Sequence, residues 1–379
     1  MNHNVYINKL SRFLPNKAIL NDEMEDYLGL INGAKSRAKS IILRSNGISS
    51  RHYALNKDQT STHTNAELVM EAINKLEQQG IDTSDLDLLA VGTTSPDQMV
   101  PSHASMIHGL MKNKPMEVLS PQGSCNTSMT ALKYAFMAIG TGDAKNAIAG
   151  GSEKLSTWML SKNFEEESTK LVELNKKPYI AFEREFLRWM LSDGAALAYL
   201  ENKPNPNGLS LKIEWIDIKS YAHELETCMY SGGVKEKDGS LTPWRSYTPQ
   251  EIAEKSIMAL HQDARILGDA IVEMGAKGIK RVTEKYNFST EEVDYFLPHM
   301  SSEFFREKIE KLASEVGCPL PQYKWFTNLT KFGNVGSASA FLMMEELFNE
   351  GKLKKGNKIL LMSPESARFS YAYMMLTVV

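Results

Sequence analysis

The chain has 379 residues, and its 43 basic and 46 acidic residues leave a formal net charge of −3 at pH 7. This nearly neutral charge balance gives no support for binding to nucleic acid or to an anionic membrane. The length suffices for two or three domains. Three cysteines without CxxC spacing predict neither a zinc site nor a disulfide framework. No apolar run approaches the roughly 20 residues of a membrane span, and the first residues lack a secretory pattern, so we expect a soluble cytoplasmic protein.

Short apolar runs alternate with helical patterns along the chain, which predicts an α/β protein. Buried strands that run into small-residue loops are predicted, in chain order, at "LDLLAVGTTS", "NAIAGGSEKL", "GAALAYLE" and "NKILLMSPES". Helical periodicity predicts helices at "NAELVMEAINKLEQQG", "MTALKYAFMAIGTG" and "IAEKSIMALHQDARILGDAIVEMGAKGIKRVTEKY". The charged and aromatic stretch at about 157–190 is predicted to be an insertion that lies over the surface.

A weak internal repeat predicts two similar α/β halves, at 1–205 and 206–379. Each half runs through an apolar strand, a loop, a helix, a small-residue loop, a second helix, a Gly-polar turn and a second strand. The repeat places Cys125 and Asn334 at equivalent helix starts and His299 at a strand end. Because open α/β sheets bind ligands at the carboxyl ends of their strands, this placement favours a chemical role.

Cys125 lies in "PQGSCNTSMTAL", at the predicted start of a helix. One interpretation is an inert buried thiol, since free cysteine behaves as a small hydrophobe. The other is a nucleophile, because unpaired N–H groups at a helix N-terminus favour the thiolate and lower the thiol pKa. The same N–H groups can hold the oxyanion that forms when a thiolate attacks a carbonyl.

His299 and Asn334 also admit two interpretations each. His299 follows an apolar strand and a proline in "FLPHMSS", where it is either structural or catalytic. Asn334 stands between two glycines in "KFGNVGSASAF", where it is either a helix N-cap or an amide donor to a developing oxyanion.

The order Cys125, His299, Asn334 resembles the thiolase superfamily, and β-ketoacyl-acyl-carrier-protein synthase III in particular. "GSCNTSMTAL" resembles the nucleophile segment, "LPHMSS" stands where that family has His-Gln-Ala-Asn, and "FGNVGSAS" matches its Gly-Asn-Thr-Ser-Ala-Ala-Ser segment. "TTSPDQMVPSHASMIHGLM", "NGISSRHYA" and "LSDGAALAYL" match further segments, so the resemblance covers nearly the whole chain. It implies a five-layered αβαβα fold with two pseudo-duplicated halves, and a homodimer.

The resemblance also implies a mechanism. Cys125 would take an acyl group from a thioester, which divides a hard condensation into two easier steps. His299 and Asn334 would bind the thioester carbonyl of a second substrate and stabilise its enolate. The resulting carbanion would attack the acyl-enzyme in a Claisen condensation, and no metal or redox cofactor is required.

One departure from the family concerns the acyl donor. Initiating synthases grip coenzyme A with a tryptophan and an arginine, where this chain has Ile41 and Ser45, with Arg44 adjacent. Acyl thioesters on a carrier protein are therefore expected in preference to coenzyme A thioesters. Basic residues that would meet an acidic carrier protein, or else form solvated helix faces, are Lys277, Lys280, Arg281, Arg306 and Lys311.

A second departure concerns the acyl tunnel, which a residue that is often phenylalanine closes in the family. Val100 stands at that position, so a longer or bulkier acyl chain is expected to fit. Met99 is the neighbouring candidate for the lining of this pocket, and a side chain that compensates for the lost volume is the alternative.

A third departure concerns the family's Gly-Gly-Gly-Phe turn, whose backbone completes the oxyanion hole. Ser366, Ala367 and Arg368 replace those glycines, so the loop geometry or its chemistry has changed. Glu365 and Arg368, with Glu153 from "GGSEKLS", are candidates for an additional acid/base pair or anion clamp. A structural ion pair is the alternative.

These features resemble the ketosynthases of dialkylresorcinol and flexirubin-type pigment pathways. That subfamily joins a β-ketoacyl and an unsaturated acyl thioester and closes a ring to a 2,5-dialkylcyclohexane-1,3-dione, which a partner enzyme aromatises. The alternatives are a synthase that initiates fatty-acid synthesis from a primer and malonyl carrier protein, and an inactive ketosynthase-like partner subunit. A biosynthetic thiolase would need a second cysteine in a Gly-rich C-terminal segment, and a papain-like protease would place its cysteine near the mature N-terminus.

Overall fold

The computed structural model of the chain describes residues 3–164 and 185–379. The insertion predicted at about 157–190 lies for the most part outside the described residues, because 165–184 are not among them. On either side of that gap, the short 3-10 helices Leu155–Met159 and Leu187–Trp189 are largely buried. The ends of the predicted insertion therefore belong to the packed body of the protein rather than to its surface.

The regular elements alternate along the chain as the apolar pattern predicts. The strands are β1 (Tyr6–Phe13), β2 (Ile19–Leu20), β3 (Ser50–Arg51), β4 (Leu88–Gly92), β5 (Glu117–Leu119), β6 (Asn146–Lys154), β7 (Asp193–Glu201), β8 (Leu211–Ser220), β9 (Met229–Tyr230), β10 (Gly233–Lys235), β11 (Leu241–Pro243), β12 (His261–Gln262), β13 (Tyr295–Pro298), β14 (Lys358–Glu365) and β15 (Ser370–Val378). The helices are α1 (Met24–Leu28), α2 (Lys39–Asn46), α3 (Asn65–Gln78), α4 (His103–Met111), α5 (Thr127–Thr141), α6 (Pro249–Glu254), α7 (Ala264–Tyr286), α8 (Arg306–Glu315), α9 (Leu329–Phe332) and α10 (Ser339–Asn349). None of these described helices is both long enough and apolar enough to cross a membrane.

Nine strands form the main sheet, in the order β13-β14-β15-β8-β1-β7-β6-β4-β5. Strand β4 runs parallel to β5 and β6, and β13 runs parallel to β14, whereas the other neighbours are antiparallel. Strands β1 and β8 meet through Tyr6 opposite Lys212 and Ile7 opposite Leu211. This short seam divides the sheet into an N-terminal part of five strands and a C-terminal part of four.

The two parts repeat one topology. In the N-terminal part β4 pairs with β6, β6 with β7 and β7 with β1, while in the C-terminal part β13 pairs with β14, β14 with β15 and β15 with β8. The paired elements have the same relative directions in both parts. The predicted α/β class with two pseudo-duplicated halves is therefore confirmed. The proposed boundary at residue 205 falls between β7 and β8 and stays a prediction.

Helices α5 and α10 fill the space between the two parts of the sheet. Both belong to one apolar cluster that also contains inward-facing residues of strands from each half. Helix α5 is buried at Met129, Leu132, Phe136 and Ile139, because a helix between two sheets must be apolar on more than one face. Helices α3 and α4 cover the outer face of the N-terminal part, and α7 and α8 cover that of the C-terminal part. The result is the five-layered αβαβα arrangement.

Two strand glycines let the central layer rest directly on the sheet. A Cβ at Gly92 in β4 would lie 2.4 Å from the backbone carbon of Thr127 and 2.6 Å from the nitrogen of Ser128. A Cβ at Gly151 in β6 would lie 2.8 Å from the carbonyl oxygen of Ser337. The first turn of α5 and the 3-10 helix Gly336–Ala338 therefore approach neighbouring strands with no room for a side chain between them.

We expect Gly92→Ala to lower the free energy of unfolding by about 1–3 kcal/mol, the usual cost of forcing extra atoms into a packed core. Gly268→Ala is the control, because a Cβ at that position in α7 would have open space around it. Replacing this helix glycine should raise the free energy of unfolding by about 0.5–1 kcal/mol. Urea-induced unfolding measures both effects, and an unchanged midpoint for Gly92→Ala would contradict the close contact between β4 and α5.

Candidate active site

The structure brings Cys125, His299 and Asn334 to the wall of one cavity. Cys125 lies two residues before α5, His299 directly follows β13, and Asn334 lies between α9 and the 3-10 helix Gly336–Ala338. His299 and Asn334 are buried, and Cys125 is half-buried. Three segments far apart in sequence thus meet where the repeat places them, at helix starts and a strand end.

The cavity has an empty volume of about 1010 Å³ that includes space open to solvent. Besides the three residues above, its lining is mostly aliphatic and aromatic, with Thr94, Gln262, Ser301 and Ser366 as polar exceptions. Within residues 3–164 and 185–379, no group of three or more His, Cys, Asp or Glu side chains is arranged to hold a metal ion. A long apolar cavity with few polar groups suits a ligand that is mostly hydrocarbon.

The environment of Cys125 raises its thiol pKa from 9.0 to about 12. Burial is the main cause, and the carboxylates of Glu365 and Glu153 add to it because their negative charge disfavours a thiolate. The expectation that the start of α5 lowers this pKa is therefore wrong for the free protein. Cys125 is a neutral thiol at pH 7.

His299 is neutral as well. Burial lowers the pKa of its imidazole to about 4, because a charged ring would lose its hydration in the apolar cavity. The backbone N–H of His299 donates a 2.8 Å hydrogen bond to the carbonyl oxygen of Met362 in β14. That bond continues the pairing of β13 with β14 by one residue and fixes the histidine at the strand end.

Asn334 is held by its backbone and oriented by its side chain. Its N–H donates to the carbonyl oxygen of Met190 at 2.9 Å, and its own carbonyl oxygen accepts from the N–H of Ser192 at 2.9 Å. Its Oδ1 accepts from the backbone N–H of Gly336 at 3.0 Å. Because Oδ1 is used in this way, the Nδ2 amide is the part of the side chain left to donate to a ligand.

Glu153 is fully buried in β6 and joins the two halves of the chain. Its Oε1 accepts from the Thr94 hydroxyl at 2.7 Å and from the Ser337 N–H at 3.0 Å, and its Oε2 accepts from the Ser95 hydroxyl at 2.7 Å. Gly336 packs so closely that a Cβ there would lie 2.8 Å from Oε1. These bonds occupy both carboxylate oxygens, so Glu153 positions the loops that carry Thr94 and Gly336 at the cavity.

Glu365 is buried beside the nucleophile segment, whereas Arg368 is exposed. The Glu365 carboxylate accepts from the Ser124 hydroxyl at 2.9 Å, the Ala367 N–H at 2.8 Å and the Ser370 hydroxyl at 3.0 Å. Among the described residues, no ion pair joins Glu365 to Arg368. The predicted Glu–Arg pair, as clamp or as structural bridge, is therefore wrong, because the loop turns the arginine to solvent.

The loop of Ser366, Ala367 and Arg368 stands where the family has three glycines, and a change in its geometry relative to the family stays a prediction. The left-handed backbone conformation falls on Phe369, with φ +59°, and not on Ser366, Ala367 or Arg368. The carbonyl oxygen of Ala367 accepts from the N–H groups of Cys228 and Met229, at 2.8 and 3.2 Å. A buried aromatic side chain and these two bonds hold a conformation that a non-glycine residue rarely adopts.

Val100 and Met99 are not among the residues that line this cavity of the single chain, and their place in an acyl pocket stays a prediction. Val100 is 82% exposed, and both residues stand on the loop before α4.

The basic residues predicted to meet a carrier protein fall into two groups. Arg281 pairs with the buried carboxylate of Asp217 at 2.5 Å, and Arg306 pairs with Glu303 at 2.5 Å. For these two the structure favours a packing role over docking. The others are exposed on α7 and α8, where Lys277 pairs with Glu273 and Lys311 with Glu315, and Lys280 completes the set.

Sequence reasoning missed Ser124, whose hydroxyl ties the nucleophile segment to Glu365, and the role of α7 and α8 in lining the cavity. The sequence did contain a signal for the lining role of α7, namely the run of small and aliphatic residues at helical spacing in "LGDAIVEMGAKGI". No signal in the sequence links Ser124 to Glu365, since 241 residues separate them.

Two family models match the chain. The model for the N-terminal domain of β-ketoacyl synthase matches residues 45–205, and the model for the C-terminal part of 3-oxoacyl-[acyl-carrier-protein] synthase III matches residues 283–377. The first match contains Cys125, and the second contains His299 and Asn334. Each half of the repeat is therefore matched by a model of condensing enzymes.

Individual proteins match over nearly the full length. A β-ketoacyl-[acyl-carrier-protein] synthase III from Clostridium perfringens is 24% identical, with 92% of each chain covered. Among solved structures, the tetronic acid condensing enzyme AbyA1 has a TM-score of 0.77 at 18% identity, covering 98% of this chain and 99% of the other. A 3-oxoacyl-[acyl-carrier-protein] synthase III from Aquifex aeolicus has a TM-score of 0.69 at 22% identity, with 99% of each chain covered.

These structural likenesses establish the fold, and the family models with the full-length relatives establish the kind of enzyme. The chain belongs to the β-ketoacyl synthase III-like family of the thiolase superfamily and is a condensing enzyme of the acyltransferase type.

Proposed function

We propose that this enzyme forms a carbon–carbon bond by Claisen condensation between an acyl group on Cys125 and a second acyl thioester, and then closes a ring to a 2,5-dialkylcyclohexane-1,3-dione. The observation that carries the proposal is the meeting of Cys125, His299 and Asn334 on one largely apolar cavity. The apolar lining of the cavity suits the hydrocarbon chain of a long acyl group. Cys125 suits the transfer of the first acyl group, and His299 and Asn334 suit the condensation with the second.

In the first half-reaction the Cys125 sulfur attacks the carbonyl carbon of an acyl thioester. The bond from that carbon to the donor sulfur breaks, and the cysteine proton leaves with the donor as its free thiol. Because the Cys125 thiol is neutral at rest, deprotonation accompanies the attack instead of preceding it. The N–H groups at the start of α5 then face the developing oxyanion.

In the second half-reaction His299 and Asn334 bind the carbonyl oxygen of the other thioester. Neutral imidazole and the Nδ2 amide both donate hydrogen bonds, which strengthen as that oxygen gains enolate charge. Loss of a proton or of carbon dioxide from the α-carbon yields the enolate, whose carbon attacks the acyl-enzyme and releases Cys125. A neutral His299 suits this role, because a charged ring would already be costly in the empty cavity.

We propose Glu365 as the base that takes a proton from an activated methylene, whose carbanion adds to the carbon–carbon double bond of the unsaturated acyl group, closes the ring and leaves an enolate that regains the proton. Water then cleaves the remaining thioester to the free thiol of the carrier and a β-keto acid, which loses carbon dioxide to give the dione. Its carboxylate accepts a hydrogen bond from the hydroxyl of Ser124, the residue before Cys125, and its charge raises the pKa of the Cys125 thiol, which supports a position close to the nucleophile. The tetronic acid condensing enzyme among the structural neighbours is named for a ring-containing product, which supports the idea that this fold accommodates cyclisation. A separate enzyme would aromatise the product.

The second candidate is the initiation of fatty-acid synthesis from a primer and malonyl carrier protein. The names of the full-length relatives favour it, since they are β-ketoacyl-[acyl-carrier-protein] synthases III. Both candidates take acyl groups from a carrier protein. Exposed Lys277, Lys280 and Lys311 on the outer layer are the cationic side chains that we propose for contact with its acidic surface.

We also propose that the enzyme is a homodimer joined along β5. This strand is at the edge of the main sheet, and an unpaired edge is a template for pairing with another chain. Exposed apolar side chains accompany it, from Met99 and Val100 in the loop, Met106 and Leu110 on α4 and Met137 on α5. Such a cluster at a sheet edge supports a second copy of the chain as the partner.

Met137→Glu should convert the dimer to a monomer, because a carboxylate at this apolar contact would lose its hydration. Met258→Glu is the matched control, since both methionines are 42% exposed, and Met137 is one helical turn after Tyr134, whose hydroxyl donates to Glu117 of β5. Light scattering after size exclusion should give twice the 42.5 kDa chain mass for wild type and the control. A wild-type mass of one chain would contradict the dimer.

Cys125→Ala should prevent any acyl-enzyme from forming, whereas His299→Ala and Asn334→Ala should still be acylated. Condensation should fall by about 10²–10³ in each of the latter two, the usual effect of removing one donor to an oxyanion. His223→Ala, at an exposed position, is the control. Intact-protein mass spectrometry follows the adduct, and normal condensation by either variant would refute the assignment.

Alkylation of Cys125 by iodoacetamide should accelerate by about tenfold per pH unit between pH 7 and 10, because the thiol pKa lies above this range and the thiolate fraction is small throughout. Glu365→Gln should raise the rate at a fixed pH, since removing a negative charge lowers that pKa, while Glu251→Gln at an exposed site should not. Cys228 and Cys318 are buried and should react later. A rate that is already at its plateau at pH 7 would contradict the neutral thiol.

A further inference from the structure

The catalytic cavity continues as a slot between α7 and α8. Helix α7 lines it with Leu267, Ile271, Gly275 and Ile279, which recur every four residues on one face of the helix, and with Val272 and Ala276 beside them. Leu267 and Ile279 are separated by about 18 Å of helix. Helix α8 and the residue before it present a facing stripe of Phe305, Ile309 and Ala313.

The far end of the slot is deep in the protein. Phe296, which lines it, stands three residues before His299 on β13, so the slot reaches about 10 Å back from the strand end along the sheet. Phe296 and Leu320 are each 1% exposed. The slot therefore leads inward from the catalytic residues and ends in the core.

The side chains that line the distal part are apolar. The small residues Gly275, Ala276 and Ala313 leave room for a ligand in this part of the slot. The larger side chains of Ile279 and Leu320 form its walls. A pantetheine arm carries amides that would lose their hydrogen bonds in such surroundings, whereas an alkyl chain gains from leaving water.

We propose that this slot between α7 and α8 is the binding site for the alkyl tail of an acyl substrate, and that Gly275, Ala276 and Ala313 set the chain length. This inference rests on the proposed function for the identity of its ligand. It assigns the tail to the C-terminal half of the chain, whereas the sequence placed the acyl pocket at Met99 and Val100.

The test is direct binding of 1-decanol, a neutral ten-carbon probe, to the full chain by calorimetry. Wild type should bind it, and Ala276→Leu should bind at least about tenfold more weakly because the leucine fills the slot. Ala270→Leu is the matched control and should bind as wild type does, since Ala270 and Ala276 are both 7% exposed on α7 and Ala270 does not line the slot. Absence of binding to wild type, or equal binding by Ala276→Leu, would overturn the proposal.

Gly275→Ala is the alternative variant for the same binding experiment if Ala276→Leu does not fold. A Cβ at Gly275 would make ordinary contacts, 3.5 Å from the Tyr371 ring and 3.8 Å from the Met362 sulfur, and it would narrow the slot. Decanol binding should weaken with this variant also, and unchanged affinity would count against the slot. Because binding requires no turnover, a protein that binds decanol but condenses no thioester would retain the slot and refute the proposed function.

Discussion

The hydrogen bonds of one buried carboxylate, that of Glu153, hold the two halves of the chain together at the catalytic cavity. Its oxygens accept from Thr94 and Ser95 in the N-terminal half and from Ser337 in the C-terminal half. A buried carboxylate is costly unless its hydrogen-bonding capacity is filled, so the three segments are constrained to meet around it. Asn334 is three residues from Ser337, and Cys125 is near enough to sense the charge. The positions of Asn334 and Cys125 therefore depend on this contact.

The same carboxylate, with Glu365, sets the electrostatics of the cavity. Two negative charges and a dry apolar wall keep Cys125 protonated, and burial keeps His299 neutral. The resting site consequently contains no thiolate–imidazolium pair. Its neutral donors interact most strongly when charge develops on a substrate oxygen, which is the condition for stabilising a transition state over a bound substrate.

Much of the fold, and the meeting of Cys125, His299 and Asn334 at one cavity, follow from the sequence because their signals are local. Strand and helix periodicity depends on neighbouring residues, and the segments around Cys125, His299 and Asn334 are each continuous stretches. The duplicated order of elements then places helix starts and strand ends together. The incorrect predictions concern features that depend on contacts between distant segments. Whether Arg368 turns inward and which acid faces Arg281 depend on contacts between segments distant in sequence, as Asp217 shows.

The pKa of Cys125 shows how tertiary context overrides a local rule. The start of α5 favours a thiolate, and this part of the expectation can be read from the sequence. Burial and the charge of Glu365, which is 240 positions away, act in the other direction and prevail. The run of small and aliphatic residues in α7 indicated an apolar face, but neither helix pattern alone indicates that α7 and α8 line a common cavity.

The most direct test of the account is the product formed from a medium-chain β-ketoacyl carrier protein and an α,β-unsaturated acyl carrier protein, identified by mass spectrometry together with the adduct on Cys125. We predict an acyl adduct on Cys125 and release of a 2,5-dialkylcyclohexane-1,3-dione. Turnover with malonyl carrier protein alone, giving a linear β-ketoacyl product, would contradict ring formation and indicate chain initiation instead. No adduct on Cys125 with any acyl thioester would contradict the mechanism itself.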